Sequence, residues 1–244
     1  MTKESGLGDR FFIDGYDLSG DVAALDSIVA SRNALDVTSI DQSAVQRLPG
    51  LRDGSMDFTT WYDSVAGQEH TALNSLAVTD FIAAYFHGTT LGNPTASCIG
   101  KKSEYSPSRG ADGSLSVKSH ILANGFGVEW GQALTTGKQT FASSGSGASI
   151  DFGSASTAFG ATGYLQVLSV ASGTATVAIQ DSADNSSFAN ISGLAFTGAT
   201  ARTTQKLSTG LTATIRRYVR VNLTGAFTNA VVAVTFVRYL AAQG

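Results

Sequence analysis

Apolar and polar positions alternate along most of this chain. In Gly113 to Leu122, Leu115, Val117 and Ser119 fall on one side and Ser116, Lys118 and His120 on the other. That period of two belongs to a half-buried strand. The same rule predicts strands at Phe11–Asp17, Asp80–Phe86, Thr95–Lys101, Ser103–Pro107, Tyr164–Val170, Thr174–Gln180, Thr203–Leu207, Ile215–Leu223 and Val231–Leu240. In Ile215–Leu223 the pattern sends Val219, Val221 and Leu223 to a core and Arg216, Tyr218 and Arg220 to the other face. Leu25–Ala30 fits either strand or helix. Glu69–Ala77, with Leu73 and Leu76 three apart, predicts one short helix. Asp181–Ser186 is a cluster of turn residues.

One stretch departs from this rhythm. Ala34–Ile40 and Met56–Trp61 read as two strands, and the connection between them is long. It ends in Leu48-Pro49-Gly50-Leu51-Arg52-Asp53-Gly54, where Pro-Gly and Asp-Gly are turn dipeptides. Connections of this length in a compact domain are functional or flexible. Asp41–Gly54 is therefore expected to work as a projecting arm.

A second break lies at Thr135–Ser149, a Gly/Ser-rich run of the kind that forms flexible connectors. It divides the chain into an expected first domain over residues 1–137, a linker over 138–149 and a second domain over 150–244. The run lacks the Gly-Lys-Ser/Thr of a phosphate loop.

Composition narrows the function. Charged residues make up 14% of the 244 residues and glycine is abundant, which suits sheets with tight turns. The net charge of −3 is uneven. Met1–Thr140 holds 16 acidic and 10 basic residues, and Phe141–Gly244 holds 3 acidic and 6 basic. An acidic first half argues against tight nucleic-acid binding there, because phosphate contacts need Lys or Arg.

One cysteine, Cys98, excludes an internal disulfide and fits a buried structural thiol. Met1–Asp9 lacks the apolar core of a secretory signal, and no run is long enough to span a bilayer. No metal or cofactor site is expected: the histidines (His70, His87, His120) are scattered, and the N-terminal aspartates lack the spacing of a calcium loop. No set of nucleophile, base and orienting group suggests a catalytic residue, so an enzyme is not expected. Trp61 and Trp130 are expected in a core or at subunit contacts. Arg216, Tyr218 and Arg220 form a candidate exterior patch.

The run Arg47–Phe58 followed by Trp61-Tyr62-Asp63 resembles the tail tube (major tail) proteins of long-tailed phages, whose Leu-Pro-Gly-Leu-x-Asp-Gly-like run precedes a tube-lining strand. The resemblance covers Phe11 to Leu134. It implies a β-sandwich or barrel with one short helix, six copies in a ring, and stacked rings that conduct DNA. Val177–Asp184 and Arg217–Val221 resemble the antiparallel β-sandwiches, Ig-like or jelly-roll, appended to phage virion proteins.

The resulting expectation is a mainly β, structural virion protein made in the host cytoplasm and located in the tail. Its partners would be itself, other tail proteins such as tape measure and terminator, DNA passing through an acidic lumen, and a host-surface glycan for the second domain. No membrane partner is expected. Gln46, Arg47, Leu48, Pro49, Leu51 and Arg52 are the expected subunit contacts. The alternative is a surface adhesin or glycan-binding module of a phage or bacterial particle.

Overall fold

The computed structural model describes residues 5–156 and 158–241. The outermost residues of both expected domains therefore lie outside the described residues. The chain is mainly β with antiparallel sheets. In chain order the elements are β1 (Arg10–Ile13), β2 (Tyr16–Asp17), β3 (Val22–Asp36), β4 (Arg47–Trp61), α1 (Glu69–Leu73), β5 (Phe81–Phe86), β6 (Pro94–Arg109), β7 (Leu115–Ala123), β8 (Glu129–Ala133) and β9 (Gln139–Phe141). There follow β10 (Gly145–Ser146), β11 (Ile150–Asp151), β12 (Ala161–Gly173), β13 (Thr176–Ser182), β14 (Ala189–Ala195), β15 (Thr203–Ser208), β16 (Tyr218–Thr224) and β17 (Phe227–Arg238).

These elements form two compact units, interleaved in sequence. One comprises Met1–Gly20, Phe81–Ser97 and Trp130–Gly244; the other comprises Asp21–Asp80 and Cys98–Glu129. The expected division around residues 138–149 differs from this. The expected linker contains β9, paired with β17, and β10, paired with β16. Phe141 inside it is buried in the core. Its small residues serve short paired strands, where composition alone reads as flexibility. Limited trypsin digestion should leave residues 138–149 intact and cut first at Arg32 or Arg47, both exposed; early cleavage at Lys138 would contradict the pairing.

The first unit is a sandwich. Strand β17 pairs with β12, and β12 with β15. A five-stranded sheet, ordered β10-β16-β13-β14 with β11 also on β16, supplies the second layer. Leu165, Val167, Val232, Val234 and Phe236 meet Val177, Ile179, Val219, Val221 and Leu223 in one core. The alternation that sends Val219, Val221 and Leu223 to the core is realised, in a strand that begins at Tyr218 rather than Ile215. Strand β17 is apolar on both faces because its other face also packs: Ala233 joins Phe12, Ala84, Phe86 and Ala133.

Gln166, 1% exposed, ties three separated segments together. Its Oε1 accepts the Gly15 N–H at 2.7 Å and its Nε2 donates to the Ile82 carbonyl at 2.8 Å. Gly15 follows Asp14 in the β1–β2 turn, and both have positive φ (76° and 50°), as a two-residue hairpin turn of the primed kind requires. Gln166→Leu would orphan both backbone groups. It should cost about 2–4 kcal/mol, read as a fall in thermal unfolding temperature.

In the second unit, β4 lies between β3 and β7. Strand β7 also pairs with β6 along Gly100–Arg109, so the two strand ends expected at Thr95–Lys101 and Ser103–Pro107 belong to one strand. A register shift between Lys102 and Glu104 explains the break in the sequence pattern. Met56, Phe58, Val117 and Ile121 are buried here. The ambiguous Leu25–Ala30 is strand, within β3. The expected helix is α1, ending at Leu73 rather than Ala77.

Candidate assembly surface

The site is the far part of the β3–β4 hairpin. Among the described residues β3 pairs with β4 alone, and β7 joins β4 from Ser55 onward. From Ala30 to Gly54 the hairpin is therefore a two-stranded ribbon joined by a ten-residue connection, Val37–Gln46. The connection is closed by local bonds: Val37 N–H to the Gln46 carbonyl, Gln46 N–H to Thr38 Oγ1, and Gln42 N–H to the Ser39 carbonyl. The Asp36 carboxylate accepts from both the N–H and the hydroxyl of Thr38, and these bonds hold it below the usual carboxylate range.

The strand extends further than its turn chemistry suggests. Leu48-Pro49-Gly50 is not a turn: Leu48 lies opposite Leu35, and Pro49 opposite Ala34. The physical reason is the ribbon itself. Here β4 has a strand neighbour on one side only, the setting in which a missing N–H is tolerated. Asp53-Gly54 is likewise inside the strand. A Cβ on Gly54 would sit 2.5 Å from the Val29 carbonyl oxygen and 2.7 Å from Val128 Cγ2, so glycine permits a close approach at the root of the ribbon.

The ribbon exposes apolar side chains. Leu35, Val37, Val45 and Leu48 are exposed, Leu51 is 82% exposed and Ile40 is fully so. A two-stranded hairpin is marginally stable alone in water, and clustered exposed apolar groups mark interaction surfaces. Among the described residues no strand pairs along the outer edge of β3, and register shifts after Val22, Leu25 and Arg32 interrupt it. Its longest regular run is Ser27–Arg32. Bulges of this kind limit indiscriminate edge pairing and confine any added strand to a short run.

Five of the six expected contact residues, Gln46, Arg47, Leu48, Pro49 and Leu51, are exposed on this ribbon. Arg52 is engaged within its own unit: its guanidinium meets Glu129 Oε1 at 2.7 Å, with the Glu129 side chain 1% exposed. The apolar residues of the connection, Val37, Ile40 and Val45, were not singled out by sequence reasoning. The signal was present in apolar residues set among polar ones inside an overlong connection.

The expected exterior patch is less available than its sequence implies. Arg216 gives its backbone N–H and its Nε–H to the Asp181 carboxylate, at 2.8 and 2.7 Å. Arg220 lies 3.9 Å over the Phe188 ring and donates to Gln180 Oε1 at 3.0 Å. Next to them, Arg217 forms a two-pronged pair with Asp151 at 2.6 and 2.7 Å, which lowers the Asp151 carboxyl to about 2. The opposite face of a strand was read correctly, and its charges are spent on neighbours.

Other polar clusters serve packing. Asp57 stands between Ser27, whose hydroxyl it accepts at 2.7 Å, and His120. The carboxylate occupies the central position, so the His120 imidazole is aimed at Asp57 and not at the Ser27 hydroxyl, unlike a Ser-His-Asp relay. Burial raises the Glu69 carboxyl, while His70 Nδ1 lies 2.7 Å from the Tyr105 hydroxyl. Among the described residues no three His, Cys, Asp or Glu side chains are grouped to hold a metal ion, and no helix is long and apolar enough to cross a membrane. Cys98 is buried. Trp61 and Trp130 are half exposed, which excludes the core and leaves subunit contacts of the two expected settings.

No family model matches this sequence, and no curated protein matches it. Solved structures similar to it include the tail of an empty GTA particle refined with C6 symmetry, at 13% identity and a TM-score of 0.39, covering 53% of this chain and 98% of the other. Another is the Dit (gp 19.1) protein of SPP1, described as a paradigm of the hub adsorption apparatus in phages infecting Gram-positive hosts. It is 12% identical with a TM-score of 0.35, covering 95% of this chain and 99% of the other. Likenesses at these TM-scores carry no argument about function.

Proposed function

We propose that this chain is a structural subunit of a phage-type tail, a tube protein that closes into hexameric rings and stacks into a DNA conduit. The observation that carries this reading is the Ala30–Gly54 ribbon, two strands wide among the described residues and apolar in its connection. A second copy of the chain is the occupant of that surface. Pairing along Ser27–Ser31 would add a strand to the β3 edge, and the exposed Leu and Ile side chains bury against the neighbouring subunit. Full burial of one such side chain is worth ~1.5–3 kcal/mol. Four of them supply ~6–12 kcal/mol, similar to the ~4–15 kcal/mol lost on association. Assembly is therefore concentration-dependent and needs several contacts at once.

The acidic balance of the first half supports a lumen past which DNA slides without sticking. Other tail proteins, such as tape measure and terminator, would be its partners in the virion. Negative-stain electron microscopy of the purified chain tests the reading. Rings and short tubes are expected as concentration rises; monomers at every concentration would contradict it.

A further inference from the structure

The first unit carries a groove unrelated to the ribbon, at the end of the sandwich where β8 meets β17. Thr235 pairs with Ala133 and Phe236 with Gln132. Continuing that register places Trp130 across from Arg238, so Trp130, Gln132, Phe236 and Arg238 share one face. Phe152 borders it, its ring 5.9 Å from that of Phe236, with the Arg238 guanidinium 4.2 Å above it. The site is a shallow, open groove with a volume of ≈ 290 Å³. That is at the small end of the ~300–1,000 Å³ of ligand sites, room for one ring.

Two polar atoms of these lining residues are buried just beneath the groove surface without a hydrogen-bond partner, and a turn of each side chain would bring them to a ligand. Gln132 Oε1 is an unused acceptor, and Arg238 Nε is an unused donor. The other end of Arg238 is committed to the Ser154 carbonyl at 2.6 Å. Leaving such groups unpaired is costly, and a ligand that pairs both is favoured for that reason. The ligand must offer a donor to Gln132, an acceptor to Arg238 and an apolar face to the half-exposed indole of Trp130. Neighbouring hydroxyls on a pyranose, with its C–H face on the indole, meet all three demands. The lining holds a single cation, so a phosphate-bearing ligand has too little to meet its charge.

We propose that this groove binds one saccharide ring, stacked on Trp130 and held through Gln132 and Arg238. The Gln132 amide turns about its terminal torsion, which is broad, to meet it. The site stands independently of the tail reading, and it differs from the Arg216–Arg220 patch.

The test uses full-length protein carrying Trp61→Phe, which leaves Trp130 as the sole indole of the two tryptophans. Methyl glucoside, methyl galactoside, N-acetylglucosamine and rhamnose are titrated in turn, with adenosine as the control. At least one sugar should change Trp130 fluorescence saturably, with a Kd of roughly millimolar order for a single-ring contact. Gln132→Leu should weaken that response about tenfold, while Arg220→Ala leaves it unchanged. No saturable response to any of the four sugars would overturn the proposal. So would preference for adenosine, undiminished binding in Gln132→Leu, or loss of Trp130 accessibility when the protein self-assembles.

Discussion

Replacing Asn33–Leu51 by Asn-Gly should yield a folded monomer that forms neither rings nor tubes. The replacement joins Arg32 to Arg52, which lie opposite each other in the ribbon, through a two-residue turn that suits a tight hairpin. It removes Leu35, Val37, Ile40, Val45, Leu48 and Leu51 together, all exposed. It keeps Met56 and Phe58, which are buried. The loss of assembly should be complete, whereas the unfolding temperature should change by a few degrees at most, since exposed groups contribute little to the monomer. Sedimentation velocity reads the first effect and thermal unfolding the second. Tubes that still formed would show that subunits join elsewhere; a chain that failed to fold would show that the ribbon is part of the core.

The largest effect on stability is expected at the ribbon's root. Arg52→Ala leaves Glu129, whose side chain is 1% exposed, without the cation 2.7 Å away. Breaking a buried ion pair by removing one partner costs about 3–5 kcal/mol. Arg52 is itself a quarter exposed, so a value near the lower end, about 3 kcal/mol, is expected in denaturant titration. A double variant, Arg52→Met with Glu129→Leu, should recover most of the loss, because the buried carboxylate is then removed together with its cation. Equal losses in the single and double variants would mean that shape, not charge compensation, matters at this position. Gly54 and the 127–128 turn lie at the same root, with a Cβ on Gly127 reaching 3.0 Å from the Asp53 carbonyl oxygen. Loosening Arg52 should therefore also loosen the direction in which the ribbon leaves the sheet.

Strands were legible in the sequence wherever one face was buried. Val219, Val221 and Leu223 follow strict alternation, and the structure buries all three. The ribbon was legible as something unusual, but its extent was not. Pro49 and Gly50 signal a turn through local chemistry, and only the pairing of Leu48 with Leu35 shows that the strand continues past them. The segment 138–149 misleads in the opposite direction. Its Gly and Ser suit a flexible connector, yet Phe141 anchors it in the core and β9 and β10 are paired. Likewise Arg216 and Arg220 look like free charges in sequence, because Asp181 and Phe188 are brought to them only by the fold. The unsatisfied Gln132 and Arg238 were invisible, since an unpaired atom is a property of packing and leaves no pattern in the chain.

Electron microscopy of the full-length chain over a concentration series, with class averages of whatever particles form, tests the central claim most directly. The account predicts sixfold rings that stack into tubes, and their absence from a parallel sample lacking Asn33–Leu51. Uniform monomers at all concentrations, or rings that persist without the ribbon, would contradict it.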